Sequence, residues 1–104
     1  MIKATFVLYP SQEALKASEN ELGANKSFYG EKEVTLETIL PVGTRVWLTG
    51  GAEHYNPDAV VESISFHEET GSHTGRHTFM LIGNSTVSAV NKILDSERWT
   101  KRPY

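Results

Sequence analysis

Cysteine is absent from all 104 residues. That absence excludes a disulfide framework, a thiolate zinc site and a cysteine nucleophile together. Long apolar runs are also missing, and no segment approaches the ~20 apolar residues of a membrane helix. The opening MIKATFVLYPSQ has one lysine and then a short apolar run, well below what a secretory signal needs. A cytoplasmic protein with no membrane partner is the expectation. Repeats, low-complexity runs and linkers are lacking too, so residues 1–104 read as one domain. At that length folding can bury roughly two-thirds of the unfolded surface, enough for a core without staples.

Several catalytic signatures are likewise absent. Gly50-Gly51 lacks the lysine and hydroxyl residue of a phosphate-cradling loop, and no serine stands in a G-x-S-x-G elbow. Asn25-Lys26-Ser27 and Asn84-Ser85-Thr86 match the glycosylation triplet, but without a secretory signal the match carries no weight, and the second suits a helix cap.

Positive charge is scarce over the first two-thirds of the chain. Residues 13–69 hold eleven acidic side chains against Lys16, Lys26, Lys32 and Arg45, a balance of −7. Residues 70–104 hold Asp95 and Glu97 against Arg76, Lys92, Arg98, Lys101 and Arg102, a balance of +3, and with Lys3 the total is −3. A surface so divided suits no general nucleic-acid binder. Its basic end can dock on something acidic, or the two halves can neutralise each other within the fold.

What is present is a run of short periodic segments. Ile2 to Tyr9 alternates as a half-buried strand does. Ser11 is a helix cap before a segment over about 11–22, with Leu15, Ala17 and Leu22 inside and Gly23 at its end. ANKSFYGEK reads as a loop whose Phe28 and Tyr29 cover a core edge. EVTLETIL (33–40) and TRVWLT (44–49) read as strands joined by a turn at 41–43. In the second of these Trp47 is either exposed or part of a strand covered on both faces. The loop GGAEHYNPD (50–58) leads to AVVESISFHEE and RHTFMLI, a hairpin. From Asn84 or Ser85 the period becomes helical, with Val87, Val90, Ile93, Leu94 and Trp99 as the stripe. The fold expected is α+β: a strongly bent antiparallel sheet, or a small SH3-like barrel, of about five strands, with one helix after strand 1 and a C-terminal helix.

The stretch FHEETGSHTGRHTF (66–79) gathers three histidines, two glutamates and an arginine. Hairpin register decides whether they converge. A loop at 71–74 pairs Phe66 with Phe79, Ile64 with Leu81, Glu69 with Arg76 and Glu68 with His77, each complementary in character and contributing roughly 0.2–1 kcal/mol. His67 and His77 then point to opposite faces, with His73 at the tip. Shifting by one residue places His67 opposite His77 and makes a metal site of His67, His73 and His77 conceivable, but loses the aromatic pair. The first register is therefore expected, with no metal and no cofactor. Glu68 and Glu69 point apart along a strand and make no acid–base pair.

Three features suit binding. His54 and Tyr55 stand in the longest polar loop, His73 and Arg76 at the hairpin, and Trp99, Lys101 and Arg102 with Tyr104 in the tail. The tail's mixture suits an acidic partner or a single nucleic-acid strand, unless it is a frayed end whose tryptophan finishes the helix stripe. The expectation is a non-catalytic interaction or inhibitor-type module that binds another protein through exposed loops of a bent sheet. One alternative is a small metal-dependent or histidine-based hydrolase using residues 67–77, with Glu68 in support. The other is single-stranded nucleic-acid binding by the basic, aromatic C-terminus.

Overall fold

The computed structural model describes residues 1–19, 27–48, 57–68, 75–84, 86–96 and 98–103. They form β1 (Ile2–Pro10), α1 (Gln12–Glu19), β2 (Phe28–Leu36), β3 (Arg45–Val46), β4 (Ala59–Glu68), β5 (Gly75–Gly83), α2 (Val87–Leu94) and β6 (Thr100–Pro103). The strands make one strongly curled half-barrel sheet in the order β3-β4-β5-β1-β2-β6. The fold is broadly α+β, with six strands where about five were expected.

The alternation of β1 sets its faces. Ala4, Phe6, Leu8 and Pro10 are buried, while Thr5, Val7 and Tyr9 are half-exposed. Across β5, Phe6 meets Phe79 edge-on, with ring centroids 5.9 Å apart, and Leu8 meets Leu81. These residues and Val90, Ile93 and Leu94 of α2 form the core. The β1–β5 pairing is parallel, which corrects the wholly antiparallel expectation. Strand direction leaves no trace in a half-buried alternating pattern, because the side-chain period is 2 either way.

Strand β2 begins at Phe28, so the aromatics expected in a loop lie in a strand paired with β1 on one side and β6 on the other. Gly30 explains the close fit there: a Cβ at this position would lie 2.5 Å from Leu94 Cδ2. Gly83 stands in the same relation to Val90 Cγ2, also at 2.5 Å, so α2 sits over the sheet where β2 and β5 present no side chain. The helix starts at Thr86, whose Oγ1 accepts from the Ala89 N–H at 3.2 Å, and buries Val87, Val90, Ile93 and Leu94. It stops at Leu94, so Trp99 belongs to no helix stripe; the chain turns through Arg98 at φ 76° and enters β6. Residues 100–103 are therefore a paired strand and not a frayed end.

Ser11 caps α1 as expected, its Oγ accepting from the Ala14 N–H at 3.1 Å. Ala14 is the buried residue, whereas Leu15 is half-buried and Ala17 exposed. Leu22 and Gly23 lie outside the described residues. Of the segment 44–49, the described residues 44–48 yield the two-residue β3, and Thr49 lies outside the described residues. Val46 and Leu48 pack against the core, and Trp47 is 45% exposed. The turn before it closes through the Thr44 N–H to Pro41 O at 3.1 Å, with Gly43 at φ 92°. Asp58 fastens the start of β4, its carboxylate accepting the Leu48 N–H at 2.6 Å.

The β4–β5 register differs from the one expected. Phe66 pairs with His77, Ile64 with Phe79, His67 with Arg76 and Glu68 with Gly75. The pairing slips between Val61 and Ser63, where one extra residue enters β4. Phe66 therefore does not face Phe79, nor Ile64 Leu81, nor Glu68 His77. The Phe79 ring meets Phe6 instead, because β5 is an interior strand whose core residues serve β1 as well.

Candidate functional site

Among the described residues, the outer edge of β4 is covered only at its start. Arg45 and Val46 pair with Val60 and Ala59, and the turn bonds Val61 through Gly43 N–H to Val61 O (2.8 Å) and Val61 N–H to Thr44 O (3.0 Å). From Glu62 to Glu68 no strand lies beside β4 among the described residues. An uncovered edge presents backbone N–H and C=O groups ready to pair with another chain.

Phe66 dominates this edge. It is 58% exposed, yet its ring has neighbours: it lies 4.8 Å from the His77 ring and fills the space a side chain at Gly75 would need. His77 is held between Phe66 and Phe79, and its buried Nδ1 has no hydrogen-bond partner among the described residues. Ile64 lies on the same core face, half-buried. On the opposite face stand Ser63, Ser65 and His67, and there Glu62 accepts a hydrogen bond from the Tyr9 hydroxyl.

His67 and His77 do not converge. His67 and His77 occupy adjacent pairs in the ladder and so point to opposite faces, and no group of three potential metal ligands exists among the described residues. His73 and Glu69, like His54 and Tyr55, lie outside the described residues. Arg76 takes a different partner from the one expected: its guanidinium reaches across β1 to Glu33 Oε1 at 2.9 Å. The two line a cleft of about 470 Å³ with Thr5, Glu31, Arg98 and Thr100. With two arginines and two glutamates, this cleft carries no net field for phosphate.

The C-terminal residues are engaged within the fold. Trp99 packs against the core with the Lys32 ammonium 5.6 Å from its ring, and Lys101 lies 4.1 Å from the Phe28 ring and 2.7 Å from Asp95 Oδ1. Arg102 is exposed on β6 opposite Tyr29, and Tyr104 lies outside the described residues. A cavity of about 700 Å³ lies between the starts of both helices and the Val60 and Ile82 side of the sheet. Among the described residues its lining holds Glu13 and Glu62 and no cation.

Sequence reasoning passed over Phe66 as a functional residue because it assigned that ring a buried partner. The slip at Glu62 that frees it has no local signature in AVVESISF. Comparison with protein families, with curated proteins and with solved structures finds no match.

Proposed function

We propose that the protein is a non-catalytic interaction module that takes up an extended protein segment as an added strand along β4, with Phe66 as the apolar anchor. One observation carries this: among the described residues no strand covers the β4 edge from Glu62 to Glu68, and that edge bears a large, exposed aromatic ring packed against His77. Main-chain pairing supplies affinity in such recognition, and alternate side chains supply specificity. A ring already packed against His77 has less rotamer freedom to lose on binding than a side chain with no such contact, which favours it as an anchor. A protein partner is favoured over a nucleic-acid strand because Trp99 and Lys101, the groups that would stack and neutralise phosphate, already have partners.

A displayed library of random peptides, panned on the full chain immobilised at low density, tests this. Enriched sequences should alternate apolar residues, and their binding should fall at least ~10-fold in the Phe66→Asp variant, a loss of about 1.4 kcal/mol. Enrichment of nothing, or of peptides indifferent to Phe66→Asp, would contradict it.

A further inference from the structure

We infer that the strand added along β4 is β4 of a second copy, antiparallel to the first and centred on Ser65. Self-pairing rests on the reading of this edge as the binding surface and names its occupant.

The window opens beyond Val61, which the Gly43 and Thr44 backbone occupies, and its described part runs to Glu68. Ser65 is the midpoint of Glu62–Glu68. A twofold axis through Ser65, perpendicular to the sheet, lets each copy fill the other's window from end to end without displacing the turn. A register centred nearer Val61 runs into that turn, and one centred nearer Glu68 loses the apolar pairing of Ile64 with the partner's Phe66.

The side chains suit this pairing. Each Ile64 comes opposite the partner's Phe66, and both lie on the core face, so two apolar pairs cover the most exposed ring of the edge. Cross-strand apolar pairs of this kind are the unit of sheet stabilisation. Each Ser63 comes opposite the partner's His67 on the other face. Glu62 and the partner's Glu68 share a position at the ends of the window, where like charges would repel. The extra residue prevents this: it turns Glu62 to the Tyr9 face, while Glu68 follows Ile64 and Phe66 on the core face. Glu62 then stands beside the partner's His67, whose ring N–H can donate to the carboxylate.

The two sheet edges differ in a way that points to β4. Edge β6 is Thr100-Lys101-Arg102-Pro103, with two cations and a proline, the residues that block strand addition. The window of β4 contains no lysine, arginine or proline. A pairing this short lies at the small end of interface sizes, so a dimer with Kd of roughly 1–100 µM is expected.

The absence of cysteine makes the test clean. Opposed residues of an antiparallel pair have Cα atoms about 4.5–5.5 Å apart, within disulfide range. The Ser65→Cys chain, mildly oxidised, should form a disulfide-linked dimer in high yield, while Ser88→Cys, exposed on α2, should not. Sedimentation equilibrium of the unmodified chain should show monomer and dimer, with dimerisation weakened at least ~10-fold by Phe66→Asp and unchanged by Arg102→Glu on the opposite edge. If Phe66→Asp fails to fold by circular dichroism, the cysteine pair decides. A monomer at all concentrations, with no excess linking of Ser65→Cys over Ser88→Cys, overturns self-pairing, and peptide enrichment then decides separately whether the edge binds anything. A dimer insensitive to Phe66→Asp that does not link through Ser65→Cys also overturns it, since another surface then holds the copies together.

Discussion

Gly30 and Gly83 act by what they lack. Both lie under α2, and a methyl group on either would meet a buried side chain, Leu94 or Val90, at 2.5 Å. Gly30→Ala should destabilise the fold by about 1–3 kcal/mol, read as a lower urea midpoint at unchanged slope. Leu94→Ala, at the same contact, should cost about 2–5 kcal/mol because it opens a cavity in the core. Surface ion pairs behave differently. Arg76–Glu33 is short, but its side chains are 40% and 77% exposed, so Glu33→Gln should change stability by less than about 1 kcal/mol, with the difference shrinking further in high salt. The sequence could not supply this pairing. Glu33 stands 43 positions from Arg76, on a strand that β1 separates from β5, whereas Glu69 was the obvious local partner.

At the scale of elements, what was legible had strong local period. Strand β1, the Ser11 cap and the Val87–Leu94 stripe follow from alternation, a capping hydroxyl and 3.6-residue spacing, and the structure has all three. Thr86 caps α2 rather than a serine, so Thr86→Ala should lower stability by about 0.5–2 kcal/mol in thermal or chemical unfolding. Strand β6 was illegible because all four of its residues are exposed, and its place in the sheet comes from pairing with β2. The hairpin was half legible. The expected and observed registers differ by two positions, which preserves faces, so the separation of His67 from His77 came through while the partners did not.

Across the whole molecule, the division of charge along the chain is partly resolved by topology. The basic C-terminal strand lies beside β2, which carries Glu31 and Glu33, and Arg76 of β5 reaches the same glutamate. Among the described residues, curling the sheet leaves two edges of unlike character: one carrying cations and a proline, and one offering an apolar ring and backbone that no strand covers. Strand addition at the second edge is tested by amide hydrogen exchange along β4 at protein concentrations well below and well above the expected Kd. Exchange should slow at high concentration at alternate residues between Glu62 and Glu68, with β6 unchanged. Equal exchange along β4 at both concentrations, or slowing confined to β6, would contradict it.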